Sequence, residues 1–199
     1  MITIEEAIYL IRLARKYLER ELNDEEIISS SIGAYAINQL SLNDEISNWK
    51  GVYLTIRSFP EQFNKILRIG YPITKLSILD SVKLLSHNAS LRLSFKNYTI
   101  ELSILHNFRQ LKEVKPYVYP RLINTDKNGI LVMRNFYIGL SFPDDKQDPI
   151  DMLSECCLRA GLPPDIWLDS NTDIYTFSIT SFKEIEPQGR VCIRQVTNV

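Results

Sequence analysis

The sequence predicts an α+β fold: a mixed or mostly antiparallel sheet flanked by helices, with a larger and a smaller lobe. Three observations carry this prediction. Apolar residues recur at helical spacing in three separate segments, other segments keep the two-residue period of strands, and several of those strands follow one another across short turns. No strand is followed by a glycine-rich turn that opens a helix, which argues against dinucleotide-binding and phosphate-loop folds.

Thr3 followed by Glu6 forms a capping box, with Ile2 and Ala7 placed as a hydrophobic staple. Ile4, Ala7, Ile8, Ile11, Ala14, Leu18 and Leu22 then define a first helix of about 30 Å. Arg12, Arg15, Lys16, Glu19 and Arg20 read as its solvated outer face. Glu19 and Glu21 dilute the positive charge, and no aromatic residues interleave to stack on bases. Between residues 23 and 48, Ile27, Ile28, Ile32, Tyr35, Ala36 and Leu40 permit a second helix, while Ser29 to Ser31 and Gly33 oppose it.

Residues 49–58 alternate around Val52, Leu54 and Ile56 as a strand, ended by Pro60. A short strand over 66–71 stops before Pro72. Leu76, Leu79, Val82, Leu85 and Ala89 form the next helical stripe, with Lys75, Asp80, Lys83 and His87 on its polar side. Residues 91–95 and 98–105 read as a hairpin, Ile100, Leu102 and Ile104 pointing inward and Thr99, Glu101 and Ser103 outward. Residues 110–124, with Pro116 and Pro120, read as an extended connection and the natural lobe boundary of a single domain spanning 1–199. A hairpin follows over 130–133 and 137–142. Asp148, Pro149 and Asp151 then supply an N-cap, a first-turn proline and a first-turn acid to a helix ending at Gly161. Residues 174–182 form the last strand, with Tyr175, Phe177 and Ile179 on one face.

A formal net charge of −1 removes any strong electrostatic bias toward nucleic acid or acidic membranes. Glu5, Glu6, Arg12, Arg15 and Lys16 interrupt the first 23 residues, which therefore read as neither signal peptide nor membrane span and place the chain in the cytoplasm. Cys156, Cys157 and Cys192 are too few for a secreted disulfide framework and read as reduced thiols. His87 and His106 belong to no ligand motif, so neither metal nor cofactor is expected. Cys156 and Cys157 point about 100° apart on a helix; Cys157 reads as a small core residue, and the place of Cys156 stays open. No serine sits in a nucleophile elbow. Glu101, Asp144, Asp145, Asp165 and Asp169 fall in loops, caps and solvent-facing positions, where acids are common without function.

Gly129, Leu131, Val132, Phe136, Gly139, Leu140 and Pro143, followed by Cys157, Arg159, Ala160, Gly161, Leu162, Pro163, Trp167, Tyr175 and Phe177, make a specific pattern of hairpin, helix, rigid turn and strand. In this the chain resembles the AMMECR family, named for the Alport syndrome, midface hypoplasia and elliptocytosis chromosomal region. The resemblance runs from the first helix to about Val191, with Pro187 and Gly189 matching the usual tail, and implies an α+β protein with two lobes. The family hallmark is a leucine-arginine-glycine-cysteine-isoleucine-glycine run thought to line a functional cleft. Here Leu67, Arg68, Ile69, Gly70, Tyr71 and Pro72 stand at that segment, without the central glycine and cysteine. Tyr137 and Ile138 stand where arginine and serine are usual, Asp144 replaces a glutamine, and an acid-proline-arginine-phenylalanine segment is missing around residues 87–93. Fold-building positions match while polar hallmark positions do not.

That pattern implies a non-catalytic binding or scaffolding protein whose Arg68, Gly70, Tyr71, Pro72 and Tyr137 shape a cleft or contact surface. Family members are often encoded beside, or fused to, Memo-type and radical S-adenosylmethionine proteins, so the resemblance implies a soluble protein partner of that kind. The alternative is an enzyme acting on a small anionic substrate, Arg68 binding the anion and Tyr71 or Tyr137 donating a hydrogen bond. Beside both stands the plainer possibility of an ordinary Arg68 interaction, a tight strand exit at Gly70 and a half-buried Tyr71.

Overall fold

The structure, a computed structural model, describes residues 2–19, 49–60, 65–111, 115–143 and 147–196. The segment 23–48 that permits a helix, and Asp144 and Asp145, lie outside the described residues. In chain order the elements are α1 (Ile4–Leu18), β1 (Lys50–Ser58), β2 (Ile66–Thr74), α2 (Ile78–Ser90), β3 (Tyr98–Gln110), a 3₁₀ turn (Pro116–Val118), α3 (Tyr119–Leu122), β4 (Gly129–Arg134), β5 (Tyr137–Ser141), α4 (Pro149–Arg159), a 3₁₀ turn (Ile166–Leu168), β6 (Asp173–Glu184) and β7 (Val191–Val196). The fold is α+β, and the strands hydrogen-bond in the order β2-β1-β3-β6-β4-β5, with β7 also on β6.

The chain forms two compact units. The first takes residues 1–44, 50–104 and 180–195, and the second takes 45–49, 105–179 and 196–199. Both are discontinuous in sequence, and β3 and β6 each give one half to either unit. The 110–124 connection lies inside the second unit.

In the first unit, the Glu6 N–H donates to Thr3 Oγ1 at 3.2 Å and the Thr3 N–H to Glu6 Oε2 at 2.7 Å, completing the capping box that starts α1. Ala7, Leu10, Ile11, Ala14 and Leu18 then pack with Val82, Leu85 and Ala89 of α2 onto Val52, Leu54 and Ile56 of β1 and Ile100, Leu102 and Ile104 of β3. Ser77 caps α2, its hydroxyl accepting the Asp80 N–H at 3.1 Å.

In the second unit, Ile130 and Val132 of β4, Met152, Leu153, Cys156 and Cys157 of α4, Trp167 and Ile174 share one core. Asp148 caps α4 and Pro149 occupies its first turn, as the sequence predicts. Trp49, Phe108, Tyr175 and Phe177 stack nearby, with ring centroids 5.2 Å apart for Trp49 and Tyr175 and 5.4 Å for Phe108 and Phe177.

Several expectations are corrected. Residues 91–95 are not a strand: the Arg92 and Leu93 N–H groups both donate to Ala89 O, closing the end of α2, while Leu93 and Phe95 lean on the core. Thr99 and Ser103 are buried rather than outward, because β3 lies inside the sheet, and the Ser103 and Ser181 hydroxyls bond at 2.8 Å. β2 continues through Pro72 to Thr74. It ends the strand order, and a register irregularity falls opposite Lys50 and Val52, so the missing proline N–H interrupts no regular ladder. Residues 116–122 are helical turns rather than extended chain, and β7 had no counterpart in the sequence reading.

Gly161 has a φ of 75° with open space where a side chain would stand, so its constraint is backbone conformation alone. Gly139 differs: a Cβ there would overlap the Cys156 carbonyl oxygen and crowd Ala160, because α4 lies directly on β5. Gly161→Ala is therefore expected to cost about 1 kcal/mol and Gly139→Ala more, about 2–3 kcal/mol. Urea unfolding of the two variants checks the order; equal midpoints would contradict the close helix approach.

Candidate functional site

β2 presents the hallmark segment, and its register decides what that segment offers. Thr55 of β1 pairs with Arg68, Tyr53 with Gly70 and Val52 with Tyr71. Strand alternation therefore separates the predicted residues. Leu67, Ile69 and Tyr71 lean against the hydrophobic core, and burial raises the Tyr71 hydroxyl above its ordinary pKa. Arg68 and Gly70 share the other face with Tyr53 and Thr55.

On that face the exposed Arg68 donates through Nε to Thr55 Oγ1 at 3.1 Å. Gly70 lies beneath the Tyr53 ring, where any Cβ would collide with the aromatic carbons. Further along, Arg57 Nη2 stands 3.4 Å from Glu101 Oε2. The result is a polar sheet face of paired side chains. Pro72 sits at the strand irregularity, partly exposed. Tyr137, exposed and opposite Arg134 in the β4–β5 hairpin, belongs to the second unit, beside a turn where Asn135 has a φ of 55° and Phe136 is exposed.

The thiols divide sharply. Cys156 and Cys157 are both fully buried in one core, and the Cys156 Sγ lies 3.5 Å from Ile130 O as donor. Burial pushes the Cys156 thiol up to about 12 and raises Cys157 as well, so both are neutral at physiological pH and are unsuited to nucleophilic work. Cys192 is exposed. Burial lowers the His106 pKa. Among the described residues, no group of three His, Cys, Asp or Glu side chains gathers as a metal site requires.

Sequence reasoning missed Arg15. Read as part of a solvated face, it is 8% exposed, and its Nη2 donates to Glu184 Oε2 at 2.6 Å and to Tyr98 O at 3.3 Å. Its guanidinium carbon stands 4.7 Å from the Tyr98 ring centroid. Burial raises the Glu184 pKa despite the opposing pull of Arg15 and the Ile100 N–H, which donates to the same carboxylate oxygen at 2.8 Å. Local periodicity placed Arg15 one position from the buried stripe, but its partner lies 169 positions away.

An α+β chain of two discontinuous units with a hallmark segment on β2 defines the class, and comparison with known proteins defines the family. The AMMECR1 family profile matches residues 11–182, and the chain belongs to that family. It is 28% identical to Protein MJ0810 of Methanocaldococcus jannaschii, over 96% of both chains, and 28% identical to Protein MK0488 of Methanopyrus kandleri, over 96% of this chain and 94% of the relative. The crystal structure of the uncharacterized protein PH0010 from Pyrococcus horikoshii shares the fold, with a TM-score of 0.70 over 94% of this chain and 95% of that one at 24% identity. No helix among the described residues is long and apolar enough to cross a membrane.

A thiol reagent should modify Cys192 quickly in the native protein and reach Cys156 and Cys157 only on unfolding. Because the folded Cys156 pKa lies above the unfolded value, its contribution to stability is complete below the ordinary thiol range and is lost as pH climbs from about 8.5 toward 12. The urea midpoint of the wild type should therefore fall more steeply over that window than that of Cys156→Ala. For the ion pair, Arg15→Met should cost about 3–5 kcal/mol by stranding a buried carboxylate, whereas Arg15→Met with Glu184→Leu should cost less. Chemical denaturation of the single and double variants checks this.

Proposed function

We propose that this protein is a binding or scaffolding member of its family, without catalytic chemistry of its own, that engages a soluble protein partner through Arg68 and its neighbours on β2. The observation that carries the reading is the state of Arg68: an exposed guanidinium whose Nε is tied to Thr55 on the adjacent strand. A side chain already oriented in this way loses less conformational freedom on docking and suits an interface anchor. The Tyr53 ring over Gly70 makes an aromatic neighbour for it, and Pro72 completes the β2 set proposed to meet the partner; Tyr137, in the second unit, is proposed as a contact in its own right. The buried, neutral thiols add support, since catalysis through Cys156 or Cys157 would require an ionised sulfur.

The partner proposed is a Memo-type or radical S-adenosylmethionine protein from the same cell. The test is calorimetric titration of each purified candidate into wild type, Arg68→Ala, Tyr137→Ala and Cys192→Ser. Binding weakened about 30-fold or more by Arg68→Ala, and unchanged by Cys192→Ser, is the expected result. Unaltered affinity for Arg68→Ala would remove the β2 surface from the interface, and no binding by either candidate would remove this class of partner.

A further inference from the structure

Away from β2, the first unit holds a cavity of about 340 Å³ between α1 and the β6–β7 hairpin. Its wall on α1 is one helical stripe that grades from apolar to charged: Ile8 and Ile11, then Arg12, Arg15 and Lys16. Val191 closes the opposite side. Of its charged members Arg15 and Glu184 are buried, and Arg12, Lys16 and Glu19 are exposed.

The charges in this cavity do not balance. Glu184 is occupied by Arg15 and the Ile100 N–H, and Glu19 stands 3.4 Å from both Arg15 Nη1 and the Tyr98 hydroxyl. Arg12 and Lys16 have no hydrogen-bonding or ionic partner among the described residues, although they lie one helical turn apart, where like charges repel. Arg15, which also lines the cavity, keeps its Nε buried with no acceptor among the described residues, on a side chain only 10% exposed. Three cations against two carboxylates, with Arg12 and Lys16 unmatched, make a concave lining that favours negative charge. The volume lies in the range of small-molecule sites, and the isoleucine and valine walls offer apolar contact beside the charge.

We propose that this cavity binds a small organic oxyanion, with a carboxylate or phosphate head between Arg12 and Lys16 and a short apolar body against Ile8, Ile11 and Val191. The site goes beyond the partner surface proposed for β2 and shares no residue with it.

The experiment is an amide-shift NMR titration of the whole protein with butyl phosphate, butyrate, inorganic phosphate and butanol as probes. Saturable shifts in α1 and residues 188–191 with butyl phosphate or butyrate, tighter than with inorganic phosphate and absent with butanol, are expected; the stronger of the two organic probes identifies the head group. Arg12→Gln and Lys16→Gln, both at exposed helical positions, should each weaken binding about fivefold, while Lys96→Gln, an exposed cation of the same unit outside the cavity, should not. The proposal is overturned by the absence of saturable shifts in α1 with either organic anion, by inorganic phosphate binding as tightly as butyl phosphate, or by equal weakening in Lys96→Gln. Affinity for the protein partner is not expected to change in Lys16→Gln, so failure here is separable from failure of the β2 reading.

Discussion

The first unit depends on the burial of one ion pair. Arg15 sits on the helix whose apolar residues cover β1 and β3, so α1 can reach the core only if a guanidinium goes with it. Removing that charge from water is costly, and attraction to a single carboxylate need not repay it. Here the carboxylate is Glu184, fixed by the Ile100 N–H, and the cation also lies over the Tyr98 ring and against its carbonyl. The contacts come from two strands, Tyr98 and Ile100 on β3 and Glu184 on β6, so the same interaction that neutralises Arg15 also fixes α1 against both. Such a pair specifies geometry more than it adds stability, because a displaced helix would leave both charges buried and unmatched.

Glycine plays a related part where side chains would otherwise meet. Gly70 pairs across strands with Tyr53 and Gly129 with Phe177, and in each case the aromatic ring occupies the space of the missing Cβ. The ring covers backbone that the glycine would expose, and the glycine lets the ring lie flat on the sheet. Gly70 thus has a structural reason to remain when the hallmark cysteine does not. Arg68 has no comparable packing constraint, since it is exposed.

Features set by neighbours in sequence were legible: the capping box of α1, the proline start of α4, the β4–β5 hairpin and the positive φ at Gly161. Features set by distant residues were not. Arg15 looked solvated because nothing near it in sequence announces Glu184, and Thr99 and Ser103 looked outward because alternation alone cannot tell an inner strand from an edge one. The candidate site shows both sides of this. A two-residue period already places Arg68 and Gly70 apart from Tyr71, whereas the Arg68 bond to Thr55 and the ring over Gly70 require knowing which strand lies next to β2.

The discontinuity of the first unit sets an order of events during synthesis. Its helix α1 is made well before the strand carrying Glu184. At about 5–20 residues per second, the 169 positions between Arg15 and Glu184 correspond to roughly 10–30 s of translation. Throughout that interval the apolar stripe of α1 has no complete core to join, and Arg15 has no buried carboxylate to meet. The unit therefore closes as a late, long-range step, and the nascent chain reaches the end of β6 before its first helix can take its final place.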